Sequence, residues 1–322
     1  MPIRKTFILA CCLFGSTHTF SWGFYAHQKI NYYAVFLLPP QMIRFYKCNI
    51  NYLSEHAVDP DKRRYVSADE APRHFIDIDH YGVYPFDSLP HKWSEAADKY
   101  SEDTLKSKGI VPWWIMTMHY RLVSAFKEKN RSRIMKLSAE IGHYIADAHV
   151  PLHTNSNHNG QKTGQEGIHG FWESRIPELL AEKEWNFFIG RAQYLSNPSS
   201  FIWNAVLESS AAADSVLSIE KKLSGQFVHS KYAFENRKGK IIKQYSTAFT
   251  RAYNKALNGM VERRMRQSVF AVASFWYTAW VDAGQPDLTS LSNQKVSEED
   301  KKEYEELDKA WRGKGKMCQY EN

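Results

Sequence analysis

"RSRIMKLSAEIGHYIADAHVPLH", residues 131–153, sets the fold class of this chain. Ile134, Leu137, Ile141, Ile145 and Ala148 recur at three- and four-residue spacing, which predicts an amphipathic helix, and Pro151 stops it. His143 and Asp147 are four residues apart on that helix, so they project from one face a turn apart. On a helical wheel that face lies roughly 130° from the centre of the apolar stripe. The pair is therefore not simply part of the main core face.

A second pair repeats the spacing. His169 and Glu173 in "GIHGFWES" are again four apart, on the helix expected after the Asn/Gly-rich loop "HTNSNHNGQKTGQEG", which begins with His153. Imidazole nitrogen and carboxylate oxygen are both zinc ligands, and an i, i+4 pair converges on one ion without bending the backbone. One such pair alone is more often a surface ion pair worth a few tenths of a kcal/mol. Two pairs flanking a loop that supplies a third histidine favour a metal.

Outward from this region the signals stay helical. Helices are predicted from Pro112 through "VPWWIMTMHYRLVSAF", across "SSFIWNAVLESSAAADSVLSIEKKL", and from about Thr247 to Ala283, the last closed by Gly284 and Pro286. "SVFAVASFWYTAWVDAG" has an apolar part of about fifteen residues with Ser274 and Thr278 inside it. That is too short and polar for a membrane span and reads as a core helix. "HSKYAFENRKGKIIKQYS" is polar and basic, a loop or a pair of weak strands. No internal repeat and no run of short alternating strands is present. The expectation is an all-α protein, and 322 residues with 43% hydrophobic and 14% aromatic content suffice for a sizeable core.

The two ends read differently. Arg4 and Lys5, the apolar run "FILACCLFG" and polar "STHTFS" form an export signal over residues 1–21, with cleavage after Ser21. The mature domain is expected over 22–290, in the periplasm or outside the cell. Cleavage takes the formal charge from +7 to +5, since Arg4 and Lys5 leave. This mild basicity suits an anionic substrate or a membrane surface but is also ordinary. Cys48 and Cys318 remain as one potential disulfide pair that spacing cannot decide. Residues 291–322 form a charged tail with a thin apolar face, an appended solvated helix or a disordered segment.

Upstream, "DPD" offers Asp59 and Asp61 in a loop-forming stretch, and "RHFIDID" offers His74, Asp77 and Asp79. Carboxylates in such stretches usually cap helices or turns. "WGFYAH" puts His27 five residues after Trp22. If cleavage frees the Trp22 amine, its nitrogen and carbonyl oxygen become able to chelate a metal.

Taken in order, "WGFYAH", "AVDPDKRR", "RHFID", "HYIADAHVPLH" and "IHGFWE" resemble the superfamily of zinc-dependent phospholipases C and single-strand nucleases, over roughly residues 22–177. The resemblance implies a single multi-helix domain around three zinc ions. It assigns Asp59, His74, His143 and Asp147 to the first, and His153, His169 and Glu173 to the second. The third takes the Trp22 nitrogen and carbonyl oxygen with His27, Asp147 bridging. Asp59 is preferred to Asp61 for its distance to His74, and it is also the residue implied to orient or deprotonate the attacking water. A zinc-bound hydroxide would then cleave a phosphodiester. Asp77 and Asp79 are candidates to orient the imidazoles, whereas His149 and His158 match no ligand position.

Glu173 and the "HAVDPDKRRY…RHFIDID" pattern look like bacterial phospholipase C sequences. The short Trp22–His27 spacing and Trp172 look like nucleases, in which Tyr81, Tyr84 or Phe86 would stack unpaired bases. The preferred reading is a phospholipase C type hydrolase, with phospholipid or single-stranded nucleic acid as substrate and peripheral membrane contact. A zinc-stapled, non-catalytic exported binding protein is the reading from another class. No sequence feature points to a stable protein partner.

Overall fold

Helix-length apolar periodicity becomes helix along most of the chain in the computed structural model, which describes residues 23–237, 239–291 and 297–313. In chain order the helices are α1 Phe24–Ala34, α2 Pro40–Cys48, α3 Ile50–Glu55, α4 Asp59–Arg63, α5 Trp93–Tyr100, α6 Glu102–Ser107, α7 Val111–Lys127 and α8 Arg131–Ala148. After a loop come α9 Ile168–Gly170, which runs on through a wider π turn over Phe171–Arg175, α10 Ile176–Glu184 and α11 Pro198–Ser224. An antiparallel hairpin, β1 Tyr232–Arg237 with β2 Lys240–Tyr245, precedes α12 Thr247–Ala256, α13 Met260–Asp282 and α14 Glu298–Gly313. The fold is all-α apart from the hairpin. The signal segment, Trp22 and the Cys48–Cys318 pairing fall outside the described residues.

The core is where α1, α7, α8 and α13 pack together. Ile30, Ile115, Met118, Leu122, Ile141, Ile145, Val272, Phe275 and Trp276 are buried there. Because α8 sits among the others, every residue from Ser138 to Ala148 is buried, well beyond the apolar stripe. That is why His143 and Asp147 can be polar, off the stripe, and still inside the protein. Gly142 lets α1 approach: a Cβ there would stand 2.0 Å from Asn31 Oδ1. Asn31 in turn donates to the Leu53 and Ala139 carbonyls at 3.0 and 2.9 Å. At the far end Arg264 of α13 donates to the His149 carbonyl at 2.8 Å, capping α8 with a cation.

Four local expectations are refined. The helix expected from Thr247 to Ala283 is two, because Asn258 and Gly259 take left-handed φ of 51° and 69° between them. Its second half is the core helix foreseen, and among the described residues no helix is long and apolar enough to cross a membrane. Of the two options for the basic stretch, the weak strand pair is the one formed. "DPD" is helical rather than a loop, with Pro60 in the first turn of α4, where its missing N–H costs nothing. Finally, the charged tail forms α14, whose partly buried Tyr304, Leu307, Asp308 and Trp311 fall at i, i+3, i+4 and i+7 and lie against the rest of the fold.

Candidate metal centre

Asp147 is the hub. Its Oδ2 lies 3.0 Å from His74 Nδ1 and 3.3 Å from His143 Nε2, and its Oδ1 lies 3.4 Å from His27 Nε2 and 3.9 Å from His153 Nε2. Beyond it, His153 Nε2 and His169 Nε2 are 3.1 Å apart, and both face Glu173 Oε2, at 3.5 and 3.0 Å. Among the described residues three overlapping sets converge closely enough to hold an ion: His74, His143 and Asp147; His153, His169 and Glu173; and His27, Asp61 and His143, the first and last sharing His143. Ligands 2.1 Å from a tetrahedral zinc stand about 3.4 Å from each other, the spacing seen around Asp147 and Glu173.

The orientation of the rings also fits a metal. His143 Nδ1 donates to the Ala57 carbonyl at 2.8 Å, His153 Nδ1 to the His74 carbonyl at 2.6 Å, and His169 Nδ1 to the His158 carbonyl at 3.1 Å. Each bond leaves Nε2 as the inward-facing nitrogen, the tautomer a metal needs. The ligand atoms themselves are poorly satisfied by protein: both His27 nitrogens, Asp61 Oδ2 and both Glu173 oxygens are buried without a hydrogen bond. Buried polar atoms left this way are costly unless a cation completes them. Aspartate, glutamate and imidazole in these numbers make a donor set suited to zinc.

Electrostatics follow from this crowding. Burial and the neighbouring His143, whose ring stacks on His27 at 3.8 Å, push His27 down to about 3. Burial alone would lower His143 as well, yet the Asp147 and Asp61 carboxylates raise it to about 9. Burial would raise Asp147, but His143 and His153 hold it well below the usual carboxylate range.

Asp59 is not in this cluster; Asp61 is. Residues two apart on a helix project about 200° apart, so once "DPD" is helical only one of the two can face inward. Asp61 Oδ1 lies 3.7 Å from His143 Nε2 and 3.9 Å from His74 Nδ1. Asp59 faces the other way, 2.6 Å from His56 Nδ1 and 3.0 Å from Lys62 Nζ. His27, His74, His143, Asp147, His153, His169 and Glu173 lie in one cluster, in which His27 falls with Asp61 and His143 as well as beside Asp147, while Trp22 lies outside the described residues.

Other expectations shift too. The orienting acceptors are backbone carbonyls, not Asp77 or Asp79; Asp79 accepts from the Ser156 backbone N–H at 3.0 Å and from its hydroxyl. His149 is a buried histidine donating to the Ile145 carbonyl, and burial and Arg264 push it to about 3. Tyr81 and Phe86 belong to the core, leaving Tyr84 as the one exposed ring of the three proposed for base stacking. The sequence reading missed Glu70, which is buried 3.6 Å from His74 Nε2 and held by Arg63 and Arg73 at 3.3 and 2.7 Å. Glu70 and His74 are themselves an i, i+4 pair, the very spacing noticed twice elsewhere.

Comparison with known proteins agrees with this geometry. The family model for zinc-dependent phospholipase C matches residues 26–255, more than two thirds of the chain. No curated protein matches it. The chain belongs to the zinc-dependent phospholipase C family and is at that level a zinc-dependent phosphodiester hydrolase.

Proposed function

We propose that this family member is an exported hydrolase that releases the phosphorylated headgroup of a phospholipid at a centre of three zinc ions. Asp61, His74, His143 and Asp147 would hold the first. His153, His169 and Glu173 would hold the second. His27 and Asp147 would hold the third together with the freed amino nitrogen and carbonyl oxygen of Trp22. The observation that carries the reading is Asp147, whose two oxygens face different imidazole sets as a bridging carboxylate's do. Support for the third site comes from Gly23, which packs so close to Ser174 that a Cβ would lie 2.4 Å from its Oγ. Gly23, the first described residue, thus lies against the segment that carries Glu173.

Zinc, when bound, supplies positive charge to phosphoryl oxygens and brings the pKa of a coordinated water near neutrality. Asp61 then takes the role first given to Asp59. Its Oδ2 has no hydrogen bond within the protein, so it can orient the attacking water and accept its proton. The carbonyls of Ala57, His74 and His158 keep the three rings from turning as charge develops.

The test is a parallel assay of the purified mature protein on phospholipid vesicles and on single-stranded DNA and RNA, with zinc counted by elemental analysis and the amino terminus fixed by intact mass. Headgroup release that chelation abolishes, three zinc ions per chain and a start at Trp22 are expected. Cleavage of nucleic acid without headgroup release would replace this reading with a nuclease. Bound zinc with turnover on neither would leave the zinc-stapled binding protein, and a chain retaining Ser21 would remove the third site as described.

A further inference from the structure

The hairpin is the largest departure from an otherwise helical fold, and its two faces differ. The pairing register puts Tyr232, Phe234, Asn236, Ile241, Lys243 and Tyr245 on one face, since Phe234 stands opposite Lys243 and Asn236 opposite Ile241. At the tip of that face Phe234 is 74% and Ile241 67% exposed, among the most exposed large apolar side chains described. At its base Tyr245 is buried, stacked on Phe171 at 3.8 Å, and from the opposite face Glu235 pairs with Arg175 at 2.6 Å. Phe171 and Arg175 flank Glu173 on the turn that carries it. The hairpin is thus fastened directly to the metal-bearing segment while its tip stands in solvent.

The charge is one-sided. From His229 to Ser246 the sequence has five Lys and Arg, at 231, 237, 238, 240 and 243, against one acid, Glu235. That acid is already engaged by Arg175 and Gln244. Lys231 turns inward to Glu220 at 2.7 Å, whereas Lys243 sits over the Tyr232 ring at 4.5 Å, beside Phe234. Two exposed apolar residues on a hairpin whose described cations include Lys243 on the same face and Lys240 on the other match the requirements of an anionic bilayer surface, apolar insertion backed by attraction to lipid phosphates. A base-stacking platform would be served by flat rings, and Ile241 offers none.

We infer that the β1–β2 hairpin is the membrane-docking element, seating Phe234 and Ile241 in the interface of an anionic phospholipid surface and so bringing the metal centre to its substrate. This rests on the phospholipase reading above, but binding can be measured without turnover. The experiment uses the mature protein and sedimentation with vesicles of phosphatidylcholine containing phosphatidylglycerol, alongside hydrolysis of those vesicles and of a monomeric short-chain phospholipid. The F234S/I241S double variant should lose at least tenfold in vesicle partitioning and lose vesicle hydrolysis in step, with monomeric hydrolysis and thermal midpoint unchanged. K240E/K243E should lose about fivefold per lysine, an effect that disappears in high salt. Unchanged partitioning in F234S/I241S would overturn the inference, as would loss of single-stranded DNA binding with vesicle binding intact. If the parent protein binds vesicles through the hairpin but hydrolyses no lipid, docking stands and the substrate assignment falls.

Discussion

Replacing Asp61 and Asp59 in turn by asparagine tests the arrangement where sequence and structure part. Asp61 Oδ1 is 3.7 Å from His143 Nε2 and 3.9 Å from His74 Nδ1, so an ion midway lies about 2 Å from each, a zinc coordination distance. Losing a group that merely orients a ligand costs 10–100-fold in affinity, and losing the ligand itself should exceed that. Asp61→Asn should therefore weaken one zinc by more than about 100-fold, or roughly 3 kcal/mol, and abolish turnover. Asp59→Asn instead breaks charge-assisted bonds to His56 and Lys62 on the opposite side of α4. It should cost about 1–3 kcal/mol of stability, a few degrees in Tm, and keep all its zinc. Competition with a chromophoric chelator reads the affinity, and thermal unfolding reads the stability. Zinc lost from the Asp59 variant and kept in the Asp61 variant would refute the helical reading of "DPD".

Two further perturbations probe how the site is supported. Gly142→Ala places a methyl 2.0 Å from Asn31 Oδ1, so overpacking should cost about 1–3 kcal/mol and part the stacked His27 and His143 rings; chelator titration should show one zinc released before the others, and full retention would contradict it. In the metal-free protein the proton on His143, whose pKa stands raised from 6.5 to about 9, contributes stability that is complete below 6.5 and lost as pH rises through 9. Because zinc must displace that proton, apparent affinity should rise about tenfold per pH unit from 6.5 toward 9, a slope absent if His143 is neutral in the metal-free state.

The two histidine–carboxylate pairs were legible because a helix converts i, i+4 spacing into a shared face, and that rule needs no tertiary information. His143 with Asp147 and His169 with Glu173 accordingly meet as read, even though the second pair spans a π turn. The choice between Asp59 and Asp61 was not legible, because "DPD" permits both a loop and the first turn of a helix. The two place the carboxylates differently. The orienting partners were hidden for another reason: they are main-chain carbonyls of Ala57, His74 and His158, which every residue possesses. The burial of α8 on all sides was likewise a tertiary fact, since its stripe marks one face and the fold covers the rest.

The tail illustrates how a weak local signal gains meaning from its partner. Alone, α14 has too thin an apolar face to specify a position. In the fold, Tyr304 lies over the His56 ring at 4.0 Å and its hydroxyl meets that of Tyr52; Asp308 pairs with Lys62 at 2.6 Å, and Trp311 packs on Phe24 at 5.6 Å. His56 and Lys62 are the two residues that hold Asp59, so α14 braces the outward side of the short helix whose inward side presents Asp61. A five-residue helix is marginal by itself. Its outer carboxylate fixes which way it faces, and the facing decides which aspartate meets the histidines. On the proposed reading, Asp59 would matter to the centre by holding α4 in place rather than by coordination.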